Sequence, residues 1–189
     1  MNPSYTSAPF ISHPLSLNGP SSAWTVNLET ATFGSMNVNT ANNNYAYINT
    51  ASNMIELSQA DYENITAILS LIPDMSCPTN GLGKSKIFQN CRSTLNQCSF
   101  YASYYASKFP DITVTIDNIP YTIPSSAYLV DGPNTTVSQI CQVMIGQTTT
   151  GSAGIVLGTP FLKQYYTVFD YSTFTSNFTA ALNPPILNS

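Results

Sequence analysis

Few side chains in this 189-residue chain can do chemistry: one histidine, four cysteines, nine acids and five bases. Any Ser-His-Asp or Cys-His catalyst would have to use His13. That residue lies in a Pro/Ser-rich leader with no carboxylate near it in sequence and no Gly-x-Ser-x-Gly elbow elsewhere, so it reads as a surface residue. One histidine, with cysteines better explained as disulfides, makes no zinc ligand set, and no metal or cofactor is expected. Gly81-Leu-Gly-Lys-Ser85 looks like half a phosphate-binding loop, but the full pattern needs glycine where Pro78 stands, a strand before and a helix after. A sharp loop between Cys77 and Cys91 explains its glycines. Asp61 and Glu63 fall on a helix surface, where a solvated role is the default. There remains Tyr45 to Leu57, YAYINTASNMIEL, with two apolar-leaning arms around Asn49-Thr50-Ala51-Ser52. Either Asn49 sits in a surface turn, or it stands where a catalytic group would otherwise be.

The elements that would hold such a loop are mostly strands and turns. Trp24, Val26 and Leu28 alternate with polar neighbours, a half-buried strand. Ile112, Val114 and Ile116 alternate likewise, Asp117-Asn118 offers a turn, and Ile119 to Ile123 returns as a second arm. Pro120 and Pro124 keep that arm short or at a sheet edge. A helix begins near Ser58, where SQAD makes a capping-box-like start with Asp in place of Glu. Ile65, Ile68, Leu69 and Ile72 give it one apolar face until Pro73 ends it. From Cys77 to Cys98 the chain is turn-rich and holds three of the four cysteines, a disulfide-stapled excursion. SFYASYYASK, residues 99–108, suits helix and strand equally. In GSAGIVLGTPFLKQYYTVFD, Ile155 to Leu157 form a short buried strand stopped at Gly158. Pro160 then suits the first position of a short helix, and Tyr165 to Phe169 run as a strand into Asp170.

Composition narrows the function classes. The length suits one domain, or one lobe of a larger protein. Hydrophobic residues make up an ordinary 43%, but charged residues only 7%, against about a quarter in soluble domains. Lys84, Lys86, Arg92, Lys108 and Lys163 make no continuous stripe, and the net charge is -4, so nucleic acid is not an expected partner. Four cysteines permit two disulfides. Acceptor sequons for N-glycosylation stand at Asn64, Asn134 and Asn177. Scarce charge, paired cysteines and sequons together favour an exported glycoprotein, secreted or in the endolysosomal lumen. The first twenty residues have no basic region and no apolar h-region, so the export reading expects removal of an upstream signal segment from a longer precursor. No stretch reaches the roughly 20 apolar residues of a transmembrane segment.

Three stretches carry a resemblance. IVLGTPFLKQYYTVFD looks like the apolar-apolar-Gly segment, short helix and last strands of the C-terminal lobe of pepsin-like aspartic proteases. FPDITVTIDNIPYTIPSSAYLV, residues 109–130, resembles that lobe's hairpin, and AWTVNLETATFGS, residues 23–35, the strand pair that opens it. Order and approximate spacing agree across residues 11–182. The resemblance implies a mainly β fold, a single C-terminal lobe of the bilobal acid-protease architecture with one or two short helices. Residues 1–10 would be a poorly structured leader, 77–98 an insertion and 183–189 a tail. It also implies disulfides Cys98–Cys141 and Cys77–Cys91, and a psi-shaped loop with Asn49 at its tip, facing a cleft shared with another lobe.

Asn49-Thr50-Ala51-Ser52 then occupies the place of the family's D-T-G followed by Ser or Thr. Thr50 and Ser52 match, and their hydroxyls would tie the loop in place. Asn49 and Ala51 do not match. The family's chemistry uses two carboxylates sharing one proton around an attacking water, and an amide cannot accept the water's proton. Ala51 adds a Cβ where the family's backbone has glycine. The second carboxylate belongs to an N-terminal lobe, and the 189 residues hold no second D-T-G-like turn. The leading expectation is a pseudoprotease lobe, a binding or structural subunit. Its partners would be a separate N-terminal lobe or another protein subunit, with an extended peptide in the cleft. The alternative is the C-terminal chain of a processed aspartic endopeptidase, completed by a separate N-terminal lobe. A third reading is an unrelated secreted β-rich glycoprotein.

Overall fold

Alternating β-branched and polar residues dictate strands, and the computed structural model contains them in quantity. It describes residues 9–18, 23–39, 44–76, 91–93, 98, 103–131, 141–148 and 154–180. In chain order the elements begin with β1 (Ile11–Pro14), β2 (Thr25–Phe33), β3 (Met36–Asn37), β4 (Tyr45–Ile48), β5 (Ile55–Leu57) and α1 (Gln59–Leu69). Next come β6 (Met75–Ser76), β7 (Arg92–Ser93), β8 (Ile112–Ile116), β9 (Ile119–Ile123), α2 (Ser125–Tyr128) and β10 (Leu129–Asp131). The chain closes through β11 (Cys141–Val143), β12 (Ile145–Gln147), β13 (Ile155–Leu157), α3 (Thr159–Leu162), β14 (Tyr165–Asp170) and β15 (Thr175–Ala180). The fold is mainly β with short helices, consistent with a single lobe of the acid-protease type. Among the described residues, no helix is long and apolar enough to cross a membrane.

Among the described residues the strands form three sheets. The largest runs β12-β5-β13-β4-β2-β8-β9, with β3 paired to β2; a second runs β10-β11-β7-β6 and a third β1-β15-β14. The β8–β9 hairpin forms as its alternation requires, with Ile112, Val114, Ile116, Tyr121 and Ile123 buried. Asp117 and Asn118 both take positive φ, 46° and 64°, the backbone of a two-residue turn matching the strand twist. β9 ends the large sheet, the one place that tolerates Pro120. In the ambiguous stretch 99–108, Ala106–Lys108 is a 3-10 turn. The core gathers around Ile55, Leu57, Ile65, Leu69, Ile112, Tyr128 and Phe161.

Two expectations about α1 are corrected. Asp61 is 1% exposed rather than solvated. Its N–H donates to Ser58 Oγ at 3.2 Å while the Ser58 hydroxyl donates to Asp61 Oδ2 at 2.6 Å, so the carboxylate is spent on the helix start. The helix also stops at Leu69, short of Pro73. Ile68 is only half-buried, and Ile72 is buried from the turn that follows, with its N–H donating to Leu69 C=O at 3.0 Å.

His13 overturns its surface reading most clearly. It is fully buried on β1, Nδ1 donates to Asp117 Oδ2 at 2.8 Å, and Nε2 meets the Tyr121 hydroxyl at 2.6 Å. Asn27 Nδ2 holds the other Asp117 oxygen at 3.0 Å. These partners lie 104 and 108 residues away in sequence, so only the folded chain shows them. The knot joins the three-stranded sheet to the hairpin of the large one.

Burial raises the phenol of Tyr62 to about 12, and burial followed by the neighbouring Tyr165 and Asp117 raises that of Tyr121 to about 12. A folded value above the unfolded 10.0 means that the folded state keeps these protons longer. Their stabilising contribution is complete below pH 10 and is lost as pH rises through about 12. We expect unfolding to set in within this window, and tyrosinate absorbance to appear together with loss of near-ultraviolet circular dichroism. Tyr62→Phe should flatten the stability decline across the same window; an unchanged slope would contradict the assignment.

Candidate functional site

The loop Asn49 to Met54 is shaped by a strand order that chain order does not suggest. β4 and β5 flank it and follow one another in sequence, yet β13 lies between them. β13 runs parallel to β4, pairing Ile155 with Ala46 and Leu157 with Ile48, and antiparallel to β5, pairing Leu157 with Ile55. The connection from β4 to β5 therefore has to cross the end of β13, a psi-shaped path. Asn49 N–H donates to Leu157 C=O at 3.1 Å, pinning the loop's first residue to the strand it crosses.

Within the loop the Asn49 side chain has a defined orientation. Ala51 N–H donates to Asn49 Oδ1 at 2.9 Å, and Ser52 N–H to Asn49 C=O at 3.3 Å. A backbone donor requires the carboxamide oxygen on that side, which leaves the NH2 as the arm turned elsewhere. Asn49 is half-buried, Thr50 and Ala51 are exposed, and Ser52 is buried. The extra methyl of Ala51 therefore meets solvent rather than packed backbone. The Ser52 hydroxyl donates to Glu56 Oε1 at 2.6 Å and accepts Met54 N–H at 3.2 Å, tying the loop to β5. Thr50 does not share that role, since among the described residues its hydroxyl makes no hydrogen bond.

Gly158 and Thr159 support the loop from beneath. Gly158 N–H donates to Met54 C=O at 3.2 Å, while Thr159 donates to Ser52 C=O from its N–H at 2.9 Å and its hydroxyl at 3.1 Å. A Cβ on Gly158 would stand 2.4 Å from Met54 O and 2.5 Å from Ser52 O, so only glycine fits. Pro160 then lies in the first turn of α3, whose buried Phe161 packs against Tyr121 and Tyr165. The sequence alone did not single out Glu56 or the support that Gly158 and Thr159 give. Glu56 lies four residues beyond Ser52 on a strand, with no local pattern to join the two.

The arrangement holds an amide, not an acid, at the first residue of the loop. An amide donates from nitrogen and accepts at oxygen but does not take a proton from water near neutral or mildly acid pH. Glu56 is the carboxylate nearest the loop in sequence, and it is engaged by Ser52. Among the described residues no group of three or more His, Cys, Asp or Glu is placed to hold a metal ion.

Cys98 and Cys141 are bonded, and Cys98 N–H is further held by Asp131 Oδ1 at 2.7 Å. Cys91 is also disulfide-bonded; Cys77, its expected partner, lies outside the described residues, as do Gly81 to Ser85 and Asn134. Asn64 is exposed on α1. Asn177 sits in β15, paired across to Ser12 on one side and Val168 on the other.

The sequence model for eukaryotic aspartyl proteases matches residues 1–181. Pepsin II-1 of Oryctolagus cuniculus is 30% identical over 93 residues, which cover 49% of this chain and 24% of that protein. Pepsin II-2/3 of the same species is 43% identical over 61 residues, covering 32% of this chain and 15% of that protein. The chain thus spans about a quarter or less of the length of these curated relatives.

Proposed function

We propose that this chain, which belongs to the eukaryotic aspartyl protease family, is a catalytically inactive C-terminal lobe that serves an exported assembly as a binding or structural subunit. The observation that carries the reading is Asn49 opening the psi-shaped loop, its Oδ1 accepting Ala51 N–H. A family that works through two carboxylates loses its general base when one becomes an amide. The loop nonetheless keeps its framework through Ser52, Gly158 and Thr159, so the surface around it is a rigid place for contact rather than for chemistry. An extended peptide in the cleft, and a separate N-terminal lobe or other subunit beside it, are the partners this reading names. Export draws support from the Cys98–Cys141 disulfide and the exposed sequon at Asn64.

Peptide hydrolysis tests the reading. The purified chain is expected to give no turnover of a denatured protein substrate between pH 2 and 6, the range over which pepsin-type carboxylate pairs work. Asn49→Asp in these 189 residues is also expected to give none, because they hold no second D-T-G-like turn. Turnover that an aspartic-protease inhibitor blocks would contradict the proposal and favour the processed endopeptidase.

A further inference from the structure

We infer that Tyr165 closes the outer edge of the large sheet against pairing with the same edge of a second copy of this chain. β9 is the terminal strand of that sheet, and an open terminal strand offers its N–H and C=O groups to any extended chain. In an antiparallel ladder the two main-chain groups of one residue point to the same side, and the side alternates along the strand. Thr122 N–H donates to the Tyr165 hydroxyl oxygen at 2.7 Å, and that hydroxyl donates to Thr122 C=O at 2.9 Å. Thr122 therefore turns both groups away from β8, and one phenol satisfies both, as a neighbouring strand would.

The same alternation puts Pro120 and Pro124 at the outward positions on either side. Proline has no N–H. Pro124 remains extended, with φ -68° and ψ 157°, and its C=O is taken by Ala127 N–H at 2.9 Å. Across positions 120, 122 and 124 the one outward N–H is that of Thr122, and Tyr165 occupies it. The phenol is held in place by ring contacts, with centroids 5.0 Å from Tyr121 at 85° and 4.9 Å from Phe161. Burial keeps its proton on, so it remains a donor. β14 thus performs a second task besides pairing β15, and a strand-like partner of this chain has to use an edge other than β9. The inference does not depend on the catalytic state of the loop at Asn49.

The oxidised full chain carrying Tyr165→Phe keeps the ring and loses the hydroxyl. We expect the Thr122 amide to exchange with solvent on the order of ten-fold faster, and the self-association constant from sedimentation velocity to rise at least about ten-fold. Thr122→Pro in that background removes the uncovered N–H and should return self-association to the wild-type value. Pro120→Thr leaves Tyr165 in place and adds an outward N–H, so it too should raise self-association and serves if Tyr165→Phe fails to fold. No rise in either variant, or a rise that Thr122→Pro does not reverse, would overturn the proposal.

Discussion

Gly158→Ala is expected to destabilise the chain by about 3 kcal/mol, among the larger effects of adding one carbon to a packed interior. The new Cβ would lie 2.4 Å from Met54 O, 2.5 Å from Ser52 O and 2.9 Å from Ser52 Cβ. The first two are main-chain oxygens. They cannot swing aside as a long side chain would, because each is already fixed by a hydrogen bond from Gly158 or Thr159. To admit the methyl, the psi-shaped loop has to lift off β13, giving up those bonds and the one from Asn49 to Leu157. Urea denaturation of wild type and variant checks this through the shift in midpoint. Thr159→Val is the calibrating control: it removes the hydroxyl bond to Ser52 without adding a clash, and should cost only about 1 kcal/mol. Equal losses in the two variants would contradict the claim that backbone approach at Gly158 holds the loop.

Removing the Cys98–Cys141 bridge is expected to cost about 4 kcal/mol, from the chain entropy returned to the unfolded state by opening a loop of 43 residues. The bridge joins Cys98 to β11, whose Cys141 pairs with Asp131 of β10, and Asp131 in turn accepts Cys98 N–H. Cross-link, strand pair and carboxylate thus converge on one corner of the fold. The double variant Cys98→Ser, Cys141→Ser, compared with wild type by urea denaturation under non-reducing conditions, reads the loss directly. A change below about 1 kcal/mol would mean that the unfolded chain keeps this corner together without the bond.

Much of the fold was legible because its signals are local. The β8–β9 hairpin declares itself through period-two alternation and an Asp-Asn turn, whose two residues tolerate the positive φ that the structure gives them. The start of α1 was readable from Ser58 and Asp61, three residues apart. Its end was not: Ile72 continues the apolar spacing but packs from a turn, because burial rather than periodicity decides where the backbone leaves the helix.

What sequence hid is contact between distant parts. His13 finds its carboxylate 104 residues away, and Tyr165 reaches a main chain 43 residues away. The insertion of β13 between β4 and β5, parallel to the one and antiparallel to the other, is a non-local pairing with no local signature. The tetrad Asn49-Thr50-Ala51-Ser52 was visible in the sequence, but the orientation of the Asn49 amide depends on the turn that Ala51 completes. Asp61 was misread for the same kind of reason, since a helix-surface spacing does not show a carboxylate turned back to cap the helix.

Inactivity, as proposed, requires an amide at position 49 and no second D-T-G-like turn to supply the other carboxylate. Peptide mass spectrometry of the native preparation tests it most directly, by covering residue 49 and searching for peptides of an accompanying polypeptide. The expected result is a residue mass of asparagine at 49, with no pepsin-like N-terminal lobe bearing a D-T-G sequence alongside. Aspartate at 49, together with such a lobe, would supply both carboxylates and contradict it.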